Sequence, residues 1–200
     1  MIFRPLGGFV ELLSGVSVSE LQDQCSKSGS DRLEGVGHPY GTIVQLLILT
    51  GQRRGEIAGL RRSWIDGDKI TFPEGFTKNK LVHQIPTGSF TKELLDAIPG
   101  ETDLLFPSRR SDDTPFNNWS KAKRMFDEPI DVTDYTLHDL RRTYSSNMAR
   151  LGVPIHVTER LLNHVSGTIS GIGAVYNRHT YLTEMGNAVN SFDQQIRQIA

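Results

Sequence analysis

Two hundred residues, 37% hydrophobic and 22% charged, describe an ordinary globular chain of one domain, or one domain with an appendage. The single cysteine, Cys25, excludes a disulfide framework and a cysteine-based metal site and fits a reducing, intracellular setting. With 22 Lys and Arg against 23 Asp and Glu, the formal net charge of −1 argues mildly against a stand-alone nucleic-acid binder, unless the basic residues gather on one face.

In chain order, residues 1–37 alternate glycine, serine and short apolar runs without a firm period, and Ser26 to Gly37 reads as a linker. The apolar run from Leu6 to Val16 is interrupted by Glu11 and glycines, so it matches neither a signal peptide nor a membrane span. From Pro39 the pattern sharpens. Ile43, Val44, Leu46, Leu47 and Leu49 predict a strongly apolar helix ending at Thr50-Gly51, and a short helix follows through Glu56 to Leu60. Between Trp64 and Phe72 an Asp-Gly turn joins two short strands, and Val82 to Pro86 adds a third. Everything after Phe90 reads as helical, over about 91–97, 116–126, 136–150, 155–163, 172–178 and 181–198. The expected fold class is mainly α with a small antiparallel three-stranded sheet (α+β), with residues 1–37 as a terminal segment and 38–200 as one domain.

Chemistry concentrates in Thr136-Leu137-His138-Asp139-Leu140-Arg141-Arg142-Thr143. Thr136 and Asp139 have the spacing of a capping box. Leu137, Leu140, Tyr144, Met148 and Leu151 then form a core stripe at helical period. Arg141 falls on the edge of that stripe, His138 just outside it, and Arg142 further toward solvent. Side chains three apart on a helix are neighbours, so His138 and Arg141 can address one object. A planar guanidinium beside an imidazole in a helix's first turn suits a phosphate. A structural ion pair for Arg141 and a surface role for His138 explain the same residues equally well.

Other groups are individually ordinary. Arg53 follows the glycine that ends a helix, and Glu56 three residues on can orient its guanidinium. Lys78, in Phe76-Thr77-Lys78-Asn79-Lys80, falls on a hairpin tip, where lysines usually serve solubility. His164 closes the apolar helix ending Leu161-Leu162-Asn163, as capping histidines do. Tyr176 follows a glycine-rich stretch (Gly167, Gly171, Gly173) that suits a side chain to be delivered, with a plain core aromatic as the bland reading and Tyr181 as competitor.

Their order is less ordinary. Thr50-Gly51-x-Arg53-x-x-Glu56, the Thr77-Lys78 hairpin, His138-x-x-Arg141, Leu162-Asn163-His164 and Tyr176-Asn177-Arg178 together resemble the catalytic domain of tyrosine recombinases, the phage-type integrases, over roughly residues 38–190. The resemblance implies that Tyr176 attacks a DNA phosphate, giving a 3′-phosphotyrosyl link and a free 5′-hydroxyl, with no metal, ATP or other cofactor. A phenol with a reference pKa near 10 costs about 4 kcal/mol to ionise at pH 7, and nearby cations lower that cost. Arg53 and Arg141 would clamp the non-bridging oxygens, His164 would add a hydrogen bond, His138 would help take the tyrosine proton and Lys78 would protonate the leaving oxygen. Glu56 supports Arg53, and Arg54, Lys80 and Arg142 are candidate DNA contacts.

The same resemblance implies double-stranded DNA as partner, a homotetramer on DNA through the C-terminal helix, a monomer without DNA, no membrane, and a bacterial or phage-derived, cytoplasmic and nucleoid-associated setting. Such recombinases carry an N-terminal clamping domain, so the short segment before residue 38 implies a truncated fragment or a gene remnant. Asn163 stands where the family most often has glycine, and the interval from His164 to Tyr176 is longer than in many members, which leaves Tyr181 as an alternative nucleophile. A type IB topoisomerase would carry a closely similar site. A non-catalytic module is the third reading, since residues 137–150 and 155–164 around the Leu151–Pro154 turn could be a helix-turn-helix.

Overall fold

The apolar run after Pro39 folds as helix α1 (Tyr40–Thr50), every residue of which is buried. A helix that is apolar on all sides belongs in the middle of a core, and α1 packs against five other helices. The computed structural model describes residues 37–128, 135–164 and 180–199. Gly51 ends α1 with a left-handed φ of 64°, and a one-turn helix α2 (Arg54–Ala58) starts three residues later.

A short 3-10 turn (Arg62–Trp64) leads into the sheet β1 (Ile65–Asp66), β2 (Lys69–Phe72) and β3 (His83–Pro86), antiparallel in that order. The register pairs Ile65 with Ile70, Ile70 with Ile85 and Phe72 with His83. Strict alternation along β2 and β3 buries Ile70, Phe72, His83 and Ile85 on one face. The three expected strands are therefore present, within a residue of their expected ends.

Helix α3 (Ser89–Asp96) follows. The expectation that everything beyond Phe90 is helical is corrected by a hairpin, β4 (Pro107–Ser108) with β5 (Ser111–Pro115). Its residues are largely exposed, so no apolar alternation announces it. Pairing rests on backbone bonds continued by Phe116 N–H to Phe106 O at 2.8 Å, beside the fully buried Phe106 ring. The next helix, α4 (Trp119–Asp127), accordingly starts three residues later than the pattern suggests.

Helix α5 (Leu137–Arg150) turns through Gly152, φ 74°, into α6 (Ile155–Leu161). Leu140, Tyr144 and Met148 are buried as the stripe predicts. The expected helix over 172–178 lies outside the described residues. Helix α7 (Leu182–Ile199) closes the chain, burying Met185, Ala188, Val189, Phe192 and Ile196 against its own core. Asp193, 1% exposed, reaches from α7 to accept the N–H groups of Phe90 (2.9 Å) and Thr91 (3.3 Å), capping α3 from another helix. Gly88 makes room for it: a Cβ there would sit 2.0 Å from the Asp193 carboxylate. Among the described residues no helix is long and apolar enough to cross a membrane.

Candidate active site

The site is built around the C-terminal end of α6. The last carbonyls of a helix have no partner within it and need donors from elsewhere. Here Asn163 adopts the left-handed conformation, φ 49°, and the chain reverses through a Schellman pair, Asn163 N–H to Arg160 O at 3.1 Å and His164 N–H to Glu159 O at 2.9 Å. Asparagine tolerates that conformation better than other residues with a side chain, so it can stand where glycine is usual. The motif leaves three successive carbonyls, of Leu161, Leu162 and Asn163, facing the α1–α2 junction and α5.

Each is taken by a different side chain. Gln52 Nε2 donates to Leu161 O at 2.9 Å, and also to Thr50 O at 3.0 Å. Arg141 donates through Nη2 to Leu162 O and through Nη1 to Gly51 O at 2.7 Å. Arg53 donates through Nη2 to Asn163 O at 3.4 Å. One helix end thus gathers both arginines that the sequence singles out, from positions 88 residues apart.

Arg53 is aimed by Glu56, as expected from their spacing. The Glu56 carboxylate, 4% exposed, accepts Arg53 Nη1–H at 2.8 Å and the Arg53 backbone N–H at 3.0 Å, fixing both ends of that residue. Arg141 is 5% exposed. Among the described residues it pairs with no carboxylate; two carbonyls hold it, so the structural ion pair that could have explained it does not form. Burial, and next the neighbouring Arg53, push its pKa down to about 10, with Glu56 and Tyr144 opposing. It remains charged at neutral pH.

His164, the residue after Asn163, is exposed. Partial burial first, then Arg141 and Arg53, hold its imidazole below the ordinary value; Glu159 opposes and His138 adds to the depression. His138 lies exposed in the first turn of α5. The Asp139 carboxylate beside it accepts the backbone N–H (2.9 Å) and hydroxyl (2.7 Å) of Thr136 and pairs with Arg142 at 2.7 Å. Arg53, Arg141 and His138 therefore all lie close enough to act on the charge of His164, just past the end of α6.

A family model for the phage integrase family matches residues 18–183. The chain belongs to the phage integrase family. It is 27% identical over 153 residues to an integrase of Escherichia phage 186, an alignment spanning 74% of this chain and 38% of that protein. The integrase of mycobacterium phage Brujita shares its fold, with a TM-score of 0.63 at 16% identity over 100% of this chain and 64% of that one. The chain thus spans well under half of one relative and just under two thirds of the other.

The remaining residues singled out in this member of the phage integrase family sort as follows. Lys78 is exposed on the β2–β3 connection, and its neighbour Asn79 donates to Asn163 O at 2.8 Å and Asn163 Oδ1 at 3.1 Å, which brings the connection to the site. Lys80 is exposed on the same connection with φ 58°. Arg54 points elsewhere, its guanidinium 4.8 Å from the centre of the Trp119 ring. Tyr176 lies outside the described residues. Tyr181 stands before α7, its ring 4.9 Å from that of His156.

Gln52, His83 and Asn79 are site-supporting residues that sequence reasoning missed. Gln52 Nε2 is committed to two carbonyls, so its Oε1 faces His83 Nε2 at 3.2 Å and can only accept. His83 must carry its proton on Nε2. Burial pushes that imidazole down to about 4, so it is neutral at pH 7, with Glu56 and the Leu161 carbonyl opposing and Arg141 and Arg53 adding. No local pattern marks a glutamine that bridges a strand to a helix end 109 residues away.

Proposed function

We propose that this chain is the catalytic part of a site-specific DNA recombinase in which Tyr176 attacks a backbone phosphate. One observation carries the reading: among the described residues, the cluster at the end of α6 sets two guanidiniums against a single carboxylate, that of Glu56. Arg141 is buried and held by carbonyls alone, Arg53 shares a single carboxylate with its own backbone, and two histidines stand beside them. Such a cluster matches the two non-bridging oxygens of a phosphodiester.

The Tyr176 oxygen bonds to phosphorus while the bond to the 5′-oxygen breaks, leaving a 3′-phosphotyrosyl link. Arg53 and Arg141 stabilise the charge that builds on the non-bridging oxygens, and their fixed attachment means little reorganisation is needed at the reacting moment. His138 helps take the phenolic proton, His164 donates a hydrogen bond to the phosphate, and Lys78 gives its proton to the departing 5′-oxygen. Attack by another 5′-hydroxyl reverses these steps and joins a new strand, so the bond energy is conserved.

Tyr176 is favoured over Tyr181 by the placement of the latter. Tyr181 packs on His156 in the first turn of α6, whereas His164 lies beyond the other end, which is five residues or about 8 Å along the helix from His156. A helix-turn-helix reading of α5 and α6 is disfavoured because the end of α6 is spent holding Gln52, Arg141 and Arg53. Tetramer assembly through α7 would require that helix to leave its seat, since its apolar stripe is already covered by its own chain.

The test is a nicked duplex bearing the attachment core, which traps a covalent complex on a denaturing gel. Tyr176→Phe is expected to abolish the adduct and leave binding intact. Arg141→Ala is expected to reduce cleavage by 100-fold or more with a much smaller loss of DNA affinity. Adduct persisting in Tyr176→Phe, or equal loss of cleavage and affinity in Arg141→Ala, overturns the proposal.

A further inference from the structure

The β2–β3 connection is closed at both ends of its tip. Phe76 is stacked 6.2 Å from Phe72 and packs edge-on 4.6 Å from Trp64, over Gly59, where a Cβ would come within 2.7 Å of the Phe76 ring. Thr77 is buried, its Oγ1 donating to Leu81 O at 3.0 Å, and Lys80 N–H returns to Thr77 O at 2.9 Å. The tip is therefore a small, self-bonded loop, and Lys78 lies inside it.

Among the described residues, Asn79 is the one side chain of the tip that bonds to the site. Asn79 Nδ2 donates to both the main-chain oxygen and the side-chain Oδ1 of Asn163. The double contact fixes both amides. Asn163 O can only accept, so the Asn79 atom facing it is Nδ2, and the Asn163 atom facing Nδ2 is then Oδ1. Among the described residues the buried Asn163 Nδ2 has no partner, which is costly and marks the amide as oriented for Asn79 rather than for its own donors. Asn163 O also accepts from Arg53, and His164 follows it in the chain. One residue thus meets the loop bearing Lys78, the clamp arginine and the phosphate-facing histidine.

We propose that Asn79 and Asn163 form a positioning pair that holds Lys78 at the leaving oxygen, the left-handed residue supplying through its side chain an acceptor that glycine lacks. The inference rests on the reading of Lys78 as the proton donor. Adjacent Cα atoms are 3.8 Å apart, so docking Asn79 fixes the main-chain end of Lys78 and leaves only side-chain torsions free. Proton transfer needs heavy atoms within about 3.2 Å, and a displacement of about 1 Å can cost about 100-fold in rate.

The experiment uses the full chain and two versions of the nicked attachment-core duplex. One has the ordinary bridging oxygen at the scissile position. The other has sulfur as the 5′-bridging atom, a leaving group that departs as thiolate without needing a proton. Lys78→Ala, Asn79→Ala and Asn163→Gly are compared with Arg141→Ala. Asn163→Gly keeps the left-handed backbone and removes only the side-chain acceptor.

All three loop-and-pair variants are expected to slow cleavage of the oxygen substrate, Asn79→Ala and Asn163→Gly by about 10- to 100-fold. Each should approach the parent rate on the sulfur substrate, whereas Arg141→Ala stays slow on both. Amide hydrogen exchange should quicken at residues 77–81 in Asn79→Ala. If Lys78→Ala is rescued by sulfur while Asn79→Ala is not, or if Asn79→Ala cleaves at the parent rate, the positioning pair is overturned and the proton donor stands. If Lys78→Ala itself is not rescued, the donor assignment falls and the pair with it.

Discussion

Gly51 illustrates how much one residue is asked to do. It ends α1 at φ 64°, offers its carbonyl to Arg141, and passes so close to α5 that a Cβ would sit 2.5 Å from Tyr144 Cδ1 and 2.9 Å from Leu162 Cδ2. Tyr144 cannot yield, being fully buried with its ring 5.1 Å from that of Phe192. Gly51→Ala is therefore expected to destabilise the protein by about 3 kcal/mol, about half from left-handed strain and half from overpacking. Urea unfolding measures this, and an unchanged midpoint would contradict it. The sequence marks Gly51 as a helix stop, but the clash that forbids any side chain involves residues about a hundred positions away.

At the scale of elements, the joint between α7 and α3 has the most to test. Helix α3 begins at Gly88 without a side-chain cap of its own, and Asp193 supplies one from 103 residues away. Burial raises the Asp193 carboxyl above its ordinary value, while the Thr91 and Phe90 N–H groups and Arg197 pull it back. Asp193→Ala is expected to cost about 2 kcal/mol by uncapping α3 and leaving buried N–H groups unpaired. Hydrogen exchange should show the loss at Phe90 and Thr91 first, and unaltered protection there would count against the cap. The exposed pairing of Arg197 with Glu93 cannot replace it, because exposed ion pairs contribute little. The amphipathic stripe of α7 was readable from its period; which carboxylate on it caps which helix was not.

For the whole molecule, two buried imidazoles set the response to acid. Burial pushes both His38 and His83 down to about 4, with Arg62 adding at His38. The unfolded chain binds these protons at the ordinary value of about 6.5. Their contribution is therefore fully retained above pH 6.5 and declines as pH falls from there toward 4, since only the unfolded state takes up protons in that window. Asp193 opposes this, its raised carboxyl adding stability as it protonates. Each unit of separation is worth about 1.4 kcal/mol, so the thermal midpoint is expected to drop between pH 7 and pH 5. His83→Gln, which keeps an N–H donor for Gln52 but cannot titrate, should flatten that slope, and an unchanged slope would show that His83 does not set it.

Periodicity and spacing by themselves determined the apolar central helix, the three-stranded sheet and the capped α5 with its buried stripe. Those signals are local: a core stripe repeats every three or four residues, and a glycine stop or a capping box is read within four. The β4–β5 hairpin escaped because exposed strands leave no alternation to read. Only the tertiary structure decided that Arg141 is held by carbonyls instead of an acid, that Gln52 and His83 brace the end of α6, and that Asn79 docks on Asn163. The physical reason is common to all three. Unpaired carbonyls at a helix end must find donors, and which donors arrive depends on the meeting in space of segments 21 to 109 residues apart.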